Sequence, residues 1–241
     1  MRRLVFTIFA SLLSCLVLLP YVAVWADNSG GKQTVQRMSG GGDALQYLIY
    51  LPEAYSANER WPLVLFLHGS GERGTNIDRV KKHGPPKLVA AGRKFPFILV
   101  SPQCPRDQRW DAKQLSMLIS QLEAKYSVDP DRIYVTGLSM GATGTWGLVA
   151  SDPERFAAIG PVCGRGDPKT VSSFAKTPVW VFHGAEDPTV PISESQSMVD
   201  ALKVAGGEPR FTVYPEAKHD SWTATYSNPK FYDWLLRQKR N

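Results

Sequence analysis

The chain has 241 residues, 43% of them hydrophobic, which is enough to bury one sizeable core and leaves two domains crowded. Lys and Arg number 28 against 22 Asp and Glu, a net charge of +6 that becomes 6 − 2 = +4 once Arg2 and Arg3 are set aside. The cations are scattered, with no basic run before 237–240, and this excludes a nucleic-acid partner on charge grounds.

The N-terminus reads as a targeting signal over 1–26. Arg2-Arg3 make a positive start, 4–19 is apolar and uncharged, and Val24-Trp25-Ala26 places small residues where a signal peptidase cuts, before Asp27. The expectation is export to the periplasm or the medium, with no membrane association after cleavage. The alternative is a retained N-terminal membrane anchor, because 4–26 is long enough to span a bilayer. Residues 27–44 are polar, carry five glycines and lack periodicity, so they read as a flexible linker ahead of a domain over 45–241.

Within that domain a strand is predicted over 46–51, ending at Pro52, and a continuous apolar strand over 62–67. The second runs into the glycine-rich loop His68-Gly69-Ser70-Gly71-Glu72-Arg73-Gly74. A short helix over 84–92 opens with Pro85-Pro86 and closes at Gly92. A buried strand follows over 97–101. Leu115, Leu118, Ile119 and Leu122 then fall at i, i+3, i+4 and i+7, the spacing of a helix packed on a sheet. Strands are predicted over 132–136, 157–161, 179–182 and 210–214, and helices over 142–150, 193–205 and 231–237. Strands alternating with helices build a mostly parallel sheet covered on both faces, an α/β fold with its chemistry at the C-terminal strand ends.

Gly137-Leu138-Ser139-Met140-Gly141 sits between one such strand and its helix. A G-x-S-x-G in that setting is a sharp turn that exposes the Ser139 hydroxyl. The strand and helix backbones close on each other two residues either side of the serine, where only glycine fits. The helix start beneath the serine offers unpaired N–H groups to a developing oxyanion. The N–H of Met140 is one candidate donor; the N–H of Ser70, in the glycine-rich loop, is the other. Of the four histidines, His68 and His83 precede Ser139 and His183 precedes the best acid. His219 alone follows the last strand and is the candidate general base. Asp167, Glu186, Asp187 and Asp200 are the acid candidates. Asp187, in a loop stiffened by Pro188 and Pro191, is preferred, with Glu186 its main rival. His68 and His183 are assigned structural positions at strand ends. Cys15 leaves with the signal; Cys104 and Cys163 follow strands that are not neighbours and read as separate thiols. No Cys/His spacing suggests a metal site.

Taken with Lys82-His83-Gly84-Pro85-Pro86-Lys87, Ser101-Pro102-Gln103-Cys104-Pro105 and His183-Gly184-Ala185-Glu186-Asp187, these motifs resemble an α/β-hydrolase of the phospholipase/carboxylesterase and dienelactone-hydrolase-like group. Nearer still are exported bacterial hydrolases labelled predicted peptidases or prolyl-oligopeptidase-family proteins. The likeness runs from Gln46 to Arg237. It implies an α/β-hydrolase fold, a Ser139-Asp187-His219 triad, no cofactor, and a small-molecule or polysaccharide-linked acyl or feruloyl ester as substrate. The segment between 161 and 179, where lipases often insert a lid, has room for one short helix, so no large lid and an open site are expected. Two other readings stand beside the esterase: a serine peptidase of the prolyl-oligopeptidase type, and a catalytically dead scaffold that binds carbohydrate or a surface. Trp110 and Trp222 are candidate pocket walls, with core packing the competing reading for each.

Overall fold

A computed structural model describes residues 30–40 and 44–240. The signal segment and its cleavage site lie outside the described residues. Eight strands form one sheet: β1 (Gln33–Arg37), β2 (Gln46–Tyr50), β3 (Trp61–Leu67), β4 (Ile98–Pro102), β5 (Val128–Leu138), β6 (Ala158–Val162), β7 (Trp180–Gly184) and β8 (Arg210–Tyr214). Their order is β1-β2-β4-β3-β5-β6-β7-β8. The β1/β2 and β2/β4 pairs are antiparallel and every later pair is parallel. This is the mostly parallel α/β sheet expected from the alternating elements, in the α/β-hydrolase arrangement that the resemblance implies.

Six α-helices cover the sheet: α1 (Gly84–Ala90), α2 (Ala112–Lys125), α3 (Met140–Ser151), α4 (Ser193–Val204), α5 (Trp222–Ser227) and α6 (Pro229–Arg237). Side chains alternate across a strand, so β3 sends Leu63, Leu65 and Leu67 to one core and Val64 and Phe66 to the other. The first core takes Leu115, Leu118, Ile119 and Leu122 of α2, Trp146 of α3 and Met198 of α4. The second takes Val89 of α1, Tyr226 of α5, and Phe231, Trp234 and Leu235 of α6. Both faces of the central strands are therefore dry, which is why their sequences read as unbroken apolar runs. The Asp111 side chain caps α2 by accepting the Gln114 N–H at 2.7 Å.

One expectation is corrected. The linker predicted over 27–44 contains β1, whose Gln33 to Arg37 pair residue by residue with Tyr50 to Gln46. Met38 follows it into the core at 7% exposure, and its N–H reaches the Leu45 carbonyl at 3.0 Å. The strand was illegible because it lies at the sheet edge. Val35 is its one large apolar side chain, and that side chain is 52% exposed. Backbone pairing, not burial, holds it.

Cys104 and Cys163 are both buried and free. Each lies just past the end of its strand, β4 and β6, with β3 and β5 between those strands. Among the described residues no helix is long and apolar enough to cross a membrane.

Candidate active site

The turn from β5 into α3 holds Ser139 at φ 53°, ψ −116°. A non-glycine residue there costs about 1–3 kcal/mol, which the surrounding backbone must offset. The glycines make the turn possible. A Cβ on Gly137 would sit 2.4 Å from the Gly141 carbonyl oxygen, and one on Gly141 would sit 1.9 Å from the Leu67 oxygen. The Ser139 N–H donates to Val162 O at 2.9 Å, tying the strained residue to the end of β6.

Three distant side chains meet at this turn. His219 Nε2 lies 3.0 Å from Ser139 Oγ, and His219 Nδ1 lies 2.7 Å from Asp187 Oδ2. A carboxylate only accepts, so Nδ1 carries the proton and Nε2 is left to accept from the serine hydroxyl. The other oxygen of Asp187, Oδ1, accepts the N–H groups of Thr189 at 2.8 Å and Val190 at 2.9 Å. Burial alone would raise the Asp187 carboxyl; the His219 hydrogen bond and those two amides outweigh it and hold its pKa below the usual 3.8. Glu186, the rival acid, is exposed and forms none of these bonds.

His183, at the end of β7, stands behind the acid. Its Nε2 is 2.9 Å from the Val190 carbonyl, which can only accept, so Nε2 is the donor there. Its Nδ1 then accepts from Ser195 Oγ at 2.7 Å. Nε2 is also 3.2 Å from Asp187 Oδ2, so the carboxylate oxygen facing His219 has a second imidazole beside it. His183 does stand at a strand end, as assigned from the sequence, but nothing there signalled its contact with the acid.

The glycine-rich loop after β3 closes the other side. His68 Nε2 accepts the Cys104 N–H at 3.0 Å, so its Nδ1 bears the proton and donates to the Gly69 carbonyl at 2.6 Å. Burial pushes the His68 imidazole down to about 4. A trans peptide sets its N–H opposite its C=O, so holding the Gly69 carbonyl also fixes the Ser70 N–H. Among the described residues neither the Ser70 nor the Met140 N–H has a backbone acceptor. The position a Gly69 Cβ would occupy is 3.7 Å from Ser139 Cβ, which puts the loop against the serine. Gln103, buried, pins the far end by donating Nε2 to the Glu72 and Asn76 carbonyls at 2.8 and 2.7 Å.

The two tryptophans part company. Trp222 begins α5, and its ring meets the His219 ring edge-on at 5.2 Å. Trp110 instead gives its indole N–H to the His68 carbonyl at 3.1 Å and packs on the Gly144 backbone and the first core. For Trp110 the structure shows the packing reading, a brace for the loop.

Cys163, Asp187 and His219 offer ligand atoms within 4.8 Å of one another, the one such group of three among the described residues. Asp187 and His219 spend those atoms on each other. Burial raises the Cys163 thiol to about 12, so the sulfur is a thiol and a poor ligand. A groove of about 1010 Å³, lined in part by Phe156, Ala157 and Phe174, opens at the opposite, N-terminal ends of β6 and β7, away from the Ser139 hydroxyl.

Comparison with known proteins agrees with this fold. Poly(3-hydroxyalkanoate) depolymerase C of Paucimonas lemoignei is 30% identical over 137 residues, 50% of this chain and 31% of that protein. A bifunctional acetylxylan esterase/xylanase of Neocallimastix patriciarum is 28% identical over 147 residues, 56% of this chain and 20% of that one. The chain thus spans less than a third of the length of either relative. Among solved structures, a thermostable esterase superposes with a TM-score of 0.76 at 32% identity, covering 87% of this chain and 64% of that chain. A feruloyl esterase module from Clostridium thermocellum shares the fold at a TM-score of 0.65 and 19% identity, over 88% and 89% of the two chains. The sequence pattern of the Dienelactone hydrolase family matches residues 103–231, more than half of the protein and the part that carries Ser139, Asp187 and His219. The chain belongs to the dienelactone hydrolase family.

Proposed function

We propose that the protein is a serine carboxylic-ester hydrolase that works through an acyl-Ser139 intermediate, on acyl or feruloyl esters carried by a polysaccharide or a small alcohol. One observation carries this reading: the unbroken Ser139–His219–Asp187 hydrogen-bond line on a strained strand-to-helix turn. In the proposed reaction, Ser139 Oγ attacks the ester carbonyl carbon while His219 Nε2 takes its proton. Asp187 keeps its negative charge, fixes the tautomer and stabilises the imidazolium. The N–H groups of Ser70 and Met140 receive the oxyanion. The C–O bond breaks as His219 returns the proton to the leaving alkoxide. Water, deprotonated by the same imidazole, then releases the acid and restores Ser139. No metal or cofactor takes part in this scheme.

The relatives support the bond type: one is by name an acetylxylan esterase, and another is by name a depolymerase of poly(3-hydroxyalkanoate). We also propose export, on the signal-like N-terminus; a secreted form beginning at Asp27 is the expected product. The test of the chemistry is hydrolysis of p-nitrophenyl acetate and butyrate by wild type and Ser139→Ala, with a fluorophosphonate probe alongside. Turnover and labelling lost together in the variant support the assignment. Equal rates in both proteins remove Ser139 from the chemistry, and a folded wild type that resists the probe favours a dead scaffold.

A further inference from the structure

A closed circuit of contacts surrounds the Ser139 hydroxyl, and half of it has no part in the scheme above. Starting from the serine, the Gly69 loop lies against it, and Glu72 Oε2 stands 3.4 Å from the position a Gly69 Cβ would take. Glu72 Oε1 is 3.9 Å from His83 Nε2. The His83 ring is 5.3 Å from the Trp222 ring, tilted by 58°. Trp222 abuts His219, and His219 returns to Ser139. Glu72 and His83, with Trp222 as the candidate pocket wall beside them, form the arc that the scheme leaves unused.

We propose that Trp222 and His83 are the alcohol-side subsite and recognise a sugar ring as the leaving group, with Glu72 as the buried post against which His83 stands. This rests on the esterase reading and names the substrate class within it. Position gives the side. The leaving oxygen must reach His219 Nε2 to collect its proton, so the alcohol lies along whatever packs against that ring. That wall is Trp222, and the next group along it is His83.

Chemistry gives the class. An indole presents a broad, rigid, polarised face that suits the C–H face of a pyranose. His83 supplies what a hydroxyl needs. Neither of its ring nitrogens has a hydrogen-bond partner among the described residues, since Glu72 at 3.9 Å is beyond hydrogen-bond range. A quarter of the His83 side chain, 25%, is open to solvent, whereas Glu72 is 4% open. Burial, then Lys82 and Lys87, lower the His83 pKa, and Asp220 opposes them without reversing the direction. The imidazole is therefore neutral near pH 7 and offers one donor and one acceptor, as a sugar hydroxyl does. A plain alkyl alcohol would leave both nitrogens unused.

The test compares two substrates with one acyl group and different alcohols, acetylated xylobiose and p-nitrophenyl acetate, in wild type, His83→Phe, His83→Asn and Trp222→Ala. The expected result is a fall of about five- to tenfold in the ratio of kcat/KM between the sugar ester and the aryl ester, expressed mainly in KM, the order of one lost hydrogen bond to a neutral group. His83→Asn, which keeps a donor and an acceptor, recovers part of that ratio, and thermal melts check that each variant folds. Should His83→Phe not fold, the ratios for His83→Asn and Trp222→Ala decide. An unchanged ratio, or equal loss on both substrates, overturns the subsite. So does a wild type that cleaves p-nitrophenyl acetate but not acetylated xylobiose, and the esterase reading then survives. A wild type that cleaves neither ester removes the esterase reading itself.

Discussion

Asp187 shows how many hydrogen bonds one side chain gathers at this turn. It accepts from His219 through Oδ2 and from two loop amides through Oδ1, so all its charge is spoken for. Asp187→Asn keeps the volume but presents an amide that can donate, which favours the wrong His219 tautomer. The expected loss in kcat is on the order of 10³–10⁴-fold with the fold retained, read from ester kinetics and circular dichroism. The acid also links stability to pH. Its pKa is lower in the folded state than the ordinary 3.8, so the unfolded chain binds the proton more readily. The stability it contributes is present above about pH 4 and is lost as pH falls through the folded value. Urea midpoints measured across that window decline more steeply in wild type than in Asp187→Asn. His68 acts one step further out. His68→Ala frees the Gly69 carbonyl and with it the Ser70 N–H, and strands the buried Cys104 N–H. A drop of about 10- to 100-fold in kcat is expected, with KM little changed, along with about 1–3 kcal/mol of lost stability by urea titration.

At the level of elements, the legible and the illegible parts divide by where each side chain spends its energy. The central strands, the α2 face of Leu115, Leu118, Ile119 and Leu122, and the elbow between β5 and α3 all write their burial or steric need directly into residue type. Ser139, Asp187 and His219 were findable for the same reason: strand ends and chain order fix where such groups must emerge. What stayed hidden depends on how the loops fold at the strand ends. The tuck of Trp110 under His68 joins residues far apart in sequence, the burial of Glu72 at 3% exposure follows no period, and His183 backs Asp187, four residues on, only because the loop after β7 folds back on the strand end. β1 was hidden because an edge strand held by its backbone needs no apolar pattern. Its worth can be measured. A chain starting at Ala44 loses the β1 pairing and uncovers Met38's place in the core, leaving the β2 edge open. Compared with a chain starting at Gly30, it is expected to be less stable by about 2 kcal/mol or more in urea and to aggregate sooner by light scattering.

Across the whole molecule, the segment between β6 and β7 bears on what kind of ester the proposed reaction would take. A lipase-like cover would be an apolar flap with freedom to lift. Here the connection is a 3-10 turn over Pro168–Ser173 whose Val171, with Phe174 just after it, is locked into the first core at 5% and 2% exposure. It packs against α3 and α4 and has no apolar face left to give to a lipid surface. Among the described residues the exposed large apolar side chains, Val35, Met117, Val204 and Val213, lie on β1, α2, α4 and β8 and form no ring around the site. Nothing in this arrangement would be switched on by an oil–water boundary. Initial rates on tributyrin are therefore expected to follow the dissolved concentration and level off at its solubility limit. A sharp rise as the emulsion forms would mean that some part of the chain opens over Ser139 in a way these packed elements do not allow.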